Sequence, residues 1–102
     1  MKTEEDYGLS RTSLPNGNGG LRILVVEDDP EMAASNALLL HYYGHRVQVA
    51  SDGPSACQAA LNMLPDVVLL DLGLPGMDGW EIARRLQEPV WEKVPFLIAL
   101  TG

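Results

Sequence analysis

The segment Pro65-Asp66-Val67-Val68-Leu69-Leu70-Asp71-Leu72-Gly73-Leu74-Pro75-Gly76-Met77-Asp78-Gly79 places the tightest limits on what this chain can fold into. An apolar run, Val67 to Leu70, ends abruptly at a carboxylate, Asp71. A loop with three glycines and a proline follows, and a helical pattern starts near Trp80. A short apolar run between turn signals predicts a strand buried on both faces, as in a parallel sheet. Asp71 then stands at the carboxyl end of that strand, the edge of open α/β sheets at which ligands bind. On position alone, Asp71 serves equally well as a carboxylate capping a turn or as a nucleophile accepting a phosphoryl group.

The rest of the chain repeats the arrangement. Residues 1–20 lack hydrophobic periodicity and end in Pro15-Asn16-Gly17-Asn18-Gly19-Gly20, which reads as a flexible tail or linker preceding a domain over 21–102. Ile23-Leu24-Val25-Val26 forms a second buried strand, and it too ends in acids, Glu27, Asp28 and Asp29. Pro30 suits the first turn of a helix with Asp29 as its N-cap. Met32, Asn36, Leu39, Leu40 and Tyr43 carry helical spacing, and Gly44 stops the helix. Arg46 to Ala50 alternates like a half-buried edge strand. A second helix follows Ser51-Asp52-Gly53-Pro54, with Cys57, Ala60, Leu61 and Leu64 on one face. A third carries Trp80, Ile82, Ala83 and Leu86, and Pro95 to Leu100 is a last buried strand ending in Thr101-Gly102. Alternating strands and helices imply right-handed parallel crossovers, hence an α/β, doubly wound parallel sheet. Strand ends then bring Glu27, Asp28, Asp29, Asp71 and Thr101 to one edge.

Composition narrows the function classes. The chain of 102 residues is 46% hydrophobic and 21% charged, which suits one globular domain with a tail. No apolar stretch approaches the roughly 20 residues of a membrane span, and the acidic start has no apolar signal core. The single cysteine, Cys57, excludes an intrachain disulfide and a Cys-based zinc site, and makes a reducing, cytoplasmic compartment the default. A net charge of −7 argues against direct binding to nucleic acid or an anionic membrane by this segment.

Acids gathered on neighbouring strand ends demand compensation. Two like charges about 4 Å apart repel by about 4 kcal/mol at an effective dielectric near 20. A hard divalent cation such as Mg²⁺ offsets this, taking one or two carboxylates, a carbonyl and several waters. Such an ion also neutralises charge that develops during phosphoryl transfer. Asp71 would attack to give an aspartyl phosphate. The Thr101 hydroxyl is placed to donate to a phosphoryl oxygen, and Gly102 leaves the approach open.

From Arg22 to Gly102 the chain resembles the response-regulator receiver (CheY-like) domain of two-component signalling. The resemblance rests on Ile23-Leu24-Val25-Val26-Glu27-Asp28-Asp29, on Asp66 through Gly79, and on Ile98-Ala99-Leu100-Thr101-Gly102 in that order and spacing. It implies a flavodoxin-like strand order, with Asp71 as phosphoacceptor and Thr101 as switch hydroxyl. It implies a Mg²⁺ site of Glu27, Asp28, Asp71 and the Gly73 backbone carbonyl, with Asp28 favoured over Glu27 as the direct ligand. Pro75 and Gly79 match the family's loop and helix-start positions. The implied phosphodonor is a histidine kinase or a histidine phosphotransfer protein, and phosphorylation would switch contact with an output partner. The family continues through a further helix, a strand ending in lysine and a last helix. The sequence lacks these, so it reads as an incomplete receiver, and Lys93 lies at the wrong sheet edge to replace the lysine. Two other functions fit less well. A pseudo-receiver would bind a partner without phosphorylation. A Mg²⁺-dependent aspartate-nucleophile phosphohydrolase needs an acid two residues after Asp71, where Gly73 stands.

The remaining conspicuous residues have ordinary readings. His41 and His45 sit at the end of the first helix, where a cation complements the dipole. Cys57 reads as core, Trp80 as packed at its helix start, and Arg84-Arg85 as a solvated face.

Overall fold

A computed structural model describes residues 20–73, 79–88 and 94–100 of the chain. Four parallel strands, β1 (Arg22–Val26), β2 (Arg46–Ala50), β3 (Val67–Asp71) and β4 (Phe96–Leu100), form one sheet in the order β2-β1-β3-β4. Helices α1 (Pro30–Tyr42), α2 (Gly53–Met63) and α3 (Gly79–Leu86) connect them in turn. The β1-to-β2 step moves one way along the sheet, whereas the next two steps move the other way. Right-handed crossovers therefore send α1 to one face and α2 and α3 to the opposite face. This is the doubly wound, flavodoxin-like arrangement expected.

Local chemistry sets the helix limits. Asp29 caps α1, its Oδ1 accepting from the backbone N–H of Glu31 at 2.9 Å and of Met32 at 3.4 Å. Pro30 follows where its missing N–H costs nothing. Gly44 takes φ 92°, a left-handed conformation that glycine adopts without steric cost, and ends the helix. Asp52 caps α2 through a reciprocal capping box with Ser55.

The core lies between the sheet and the α2/α3 layer. Leu24 and Val26 of β1, Val68 and Leu70 of β3, Ala56, Ala59 and Ala60 of α2, and Ile82, Ala83 and Leu86 of α3 pack together. Several expected faces differ from this. On α2 the inward stripe is Gly53, Ala56, Ala59 and Ala60, while Leu61 is exposed and Cys57 half-buried. Small residues win that face because the helix lies close to the sheet. On α1 only Ala33 is buried, while Met32, Leu39 and Tyr43 are exposed. That helix is apolar all round its second half, so spacing alone did not select a face. Trp80 is 67% exposed rather than packed, because the inward side of α3 is taken by Ile82, Ala83 and Leu86.

The strands also depart from full burial. β3 alternates buried and half-buried residues, so one face is covered more deeply than the other. β4 was expected to be buried, yet Phe96, Ile98 and Leu100 are all exposed. Among the described residues it pairs with β3 alone, and Leu97 is the residue of β4 that packs against the core. β2 is an edge strand as anticipated, but it is not half-buried by alternation, since Arg46, Gln48 and Val49 are exposed and Ala50 is its buried residue.

These burials predict a sharp contrast. Leu24→Ala, at a site with no solvent exposure, should cost about 2–5 kcal/mol of unfolding free energy. Leu61→Ala should stay within about 0.5 kcal/mol. Urea unfolding of the two variants reads both values.

Candidate functional site

The strand order reverses between β1 and β3. At such a switch point the loops leaving two adjacent strands part in opposite directions and open a crevice above the carboxyl ends. The residues that fill it follow directly from the register. Val26 pairs with Leu70, so Glu27 and Asp28 leave β1 beside Asp71, the last residue of β3. Carboxylate oxygens of Glu27, Asp28 and Asp71 come within 4.8 Å of one another. The convergence expected of these three acids is what the structure shows.

Their environments differ. Glu27 is 6% exposed and is the buried charged residue among those described. Its backbone N–H donates to Ala50 O at 2.9 Å, which ties it to β2 as well as β1. Asp71 is partly exposed and Asp28 exposed. The Asp28 N–H donates to Glu27 Oε2 at 3.1 Å, and the Gly73 N–H donates to Asp71 Oδ1 at 2.8 Å. Burial raises the Glu27 carboxyl above its ordinary range, and the adjoining Asp71 carboxyl, by hydrogen bond and by charge, raises it further. The Asp28 N–H pulls the other way, more weakly.

The loop after Asp71 is held at its start. The Leu72 N–H donates to Leu100 O at 2.9 Å, joining the end of β3 to the end of β4. Asp71 pairs in register with Leu100. Thr101, the expected switch hydroxyl, lies outside the described residues, as do Pro75 and Lys93. Asp29 stands outside the cluster as the α1 cap. His45 has a different task from the helix-end cation expected, since its Nδ1 accepts from the Leu21 N–H at 3.0 Å. His41 occupies the last turn of α1.

Comparison with known proteins gives the same reading of the whole unit. Residues 23–102 match the family described as the response regulator receiver domain. The chain belongs to that family. This receiver is 46% identical over 81 residues to the transcriptional regulatory protein TcrA of Mycobacterium tuberculosis, covering 78% of the chain and 32% of TcrA. It is 41% identical over 80 residues to the DNA-binding response regulator MtrA of Mycolicibacterium smegmatis, covering 78% of the chain and 35% of MtrA. It thus spans about a third of the length of these curated relatives. Among solved structures, a CheY-like receiver domain from Methylobacillus flagellatus superimposes with a TM-score of 0.74 at 28% identity, covering 79% of this chain and 69% of that one. The BeF3-activated receiver domain of Klebsiella pneumoniae RstA gives 0.69 at 36% identity, covering 78% and 66%. No helix among the described residues is long and apolar enough to cross a membrane.

Sequence reasoning placed the three acids but missed one contact at this receiver's site. Gly79, noted only as a helix start, lies against Leu72. The one available signal was glycine at a helix start, a place where serine, threonine and aspartate lead.

The raised Glu27 carboxyl has a measurable consequence. It binds its proton more tightly folded than unfolded, so the metal-free fold loses stability as pH rises from the ordinary value of 4.5 through the raised one. Glu27→Gln should remove that loss. At pH 7.5 in chelator, the variant should melt at a higher temperature than wild type, and the gain should vanish as pH falls below the ordinary value of 4.5.

Proposed function

We propose that this receiver accepts a phosphoryl group on Asp71 and thereby switches its contact with an output partner. The single observation that carries the reading is the meeting of Glu27, Asp28 and Asp71 at the crevice between β1 and β3. Three carboxylates in that space form an all-oxygen donor set suited to a hard divalent cation. The residues therefore fit Mg²⁺, which Glu27, Asp28, Asp71 and the Gly73 carbonyl would hold. Bound there, the ion supplies positive charge against the equatorial phosphoryl oxygens.

The chain's own groups do the rest. A carboxylate oxygen of Asp71 attacks phosphorus in line. The bond from phosphorus to the phosphodonor's imidazole nitrogen breaks, and that nitrogen keeps the electron pair and takes a proton. The hydrogen bond from Gly73 to Asp71 Oδ1 fixes the carboxylate plane, leaving the other oxygen as the attacking atom. The Thr101 hydroxyl donates to a phosphoryl oxygen after transfer. The added charge of about −1.5 to −2 draws this group and the Leu72–Leu100 junction toward the phosphate, altering the surface that the partner reads. Water attack on the acyl phosphate restores Asp71. The donor is a histidine kinase or histidine phosphotransfer protein, and the role is signalling rather than metabolic turnover.

Incubation of the full-length protein with Mg²⁺ and a small acyl phosphate should add one phosphate that is acid-stable and hydroxylamine-labile. Asp71→Asn should abolish the label while leaving the fold intact by circular dichroism. Labelling that persists in the Asn variant would move the nucleophile elsewhere.

A further inference from the structure

Gly79 is the first residue of α3, and a Cβ there would meet Leu72 at 2.9 Å from Cδ2 and 3.1 Å from Cα. The requirement is for space, not for backbone freedom, since among the described glycines the positive φ belongs to Gly44. Leu72 has little room to give way. Its side chain packs against the main core, and its N–H is bonded to Leu100 O. It also stands between the two residues of the Asp71–Gly73 turn, so any shift of its Cα moves both.

We infer that Gly79 is a positioning residue for the acidic pocket, because close approach of α3 to the Leu72 backbone sets where Asp71 and Gly73 stand. A methyl group at this place pushes the turn by a few tenths of an ångström and leaves the donor chemistry unchanged. Misplacement by about 1 Å at a reacting centre costs on the order of a hundredfold, so this smaller push should cost roughly three- to tenfold. The inference rests on the proposed phosphorylation site for its metal and phosphate readings. Its effect on the Gly73 amide needs neither.

The test compares wild type, Gly79→Ala and Ile82→Val in the full-length protein. Ile82 is buried in the core on the same helix and is 5% exposed, so its truncation reports destabilisation of α3 without a push on Leu72. Three quantities are read: the metal-free Gly73 amide chemical shift, the Mg²⁺ dissociation constant, and the rate of Asp71 phosphorylation at saturating Mg²⁺. Gly79→Ala should shift the Gly73 amide, weaken Mg²⁺ binding and slow phosphorylation at saturating Mg²⁺ by roughly three- to tenfold. Ile82→Val should lower Tm and leave the amide and the Mg²⁺ affinity at wild-type values. Adding Leu72→Ala, which deletes the Cδ2 that the new methyl meets, should recover part of the loss. A Gly79→Ala protein with lowered Tm but an unmoved Gly73 amide overturns the inference, as does an equal amide shift in Ile82→Val. If Gly79→Ala fails to fold, recovery of the fold in Leu72→Ala/Gly79→Ala supports the contact, and its failure to recover overturns it. A wild-type protein that takes neither Mg²⁺ nor phosphate refutes the proposed function, while the amide comparison still decides the role of Gly79.

Discussion

Mutual repulsion among Glu27, Asp28 and Asp71 is the constraint on which the rest of the domain depends. Their oxygens lie within 4.8 Å of one another, and nothing in the cluster is cationic. Two backbone N–H groups, from Asp28 and Gly73, offset part of the charge. Burial of Glu27 raises its carboxyl, and the adjoining Asp71 carboxyl raises it further. A flexible chain would separate these groups. This one holds them because each follows directly from a strand of a hydrogen-bonded parallel ladder.

The sheet is built to resist that repulsion where it acts. β1 and β3 are its two central strands, and the residues just before the acids, Val26 and Leu70, are almost wholly buried in the α2/α3 core. Glu27 is further bound to β2 through Ala50, and Leu72 to β4 through Leu100. All four strands therefore hold the pocket in place, although only two supply its acids. Packing is uneven elsewhere. α1 buries little of its own surface, and β4 leaves Phe96, Ile98 and Leu100 exposed. Packing is deepest under the acids, and among the described residues β4, the strand that leads to Thr101, is an edge with three large exposed side chains.

Much of this was legible in the chain itself. Strand positions, the helix cap at Asp29 and the meeting of the acids all follow from local rules: apolar runs, side-chain caps, and the fact that parallel strands end on the same edge. The helix faces were less legible. α2 presents alanines inward and Leu61 outward, because distance to the sheet, which no local pattern records, decides which side chains fit. Leu39 and Tyr43 of α1 satisfied helical spacing and are exposed all the same, since a helix apolar on every side carries no directional signal. β4 had a buried strand's composition but, among the described residues, pairs with β3 alone. The Gly79–Leu72 contact joins two elements across a loop, and its need for a missing Cβ is a fact of tertiary distance.

Thermal unfolding in Mg²⁺ and in monovalent salt of equal ionic strength tests the central claim most directly. If acid crowding is the dominant constraint and a divalent cation its remedy, Mg²⁺ should raise Tm well beyond the monovalent salt. The rise should grow logarithmically with concentration above the dissociation constant and disappear in Asp28→Asn. Identical unfolding curves in the two salts, with wild type and Asp28→Asn responding alike, would contradict the account.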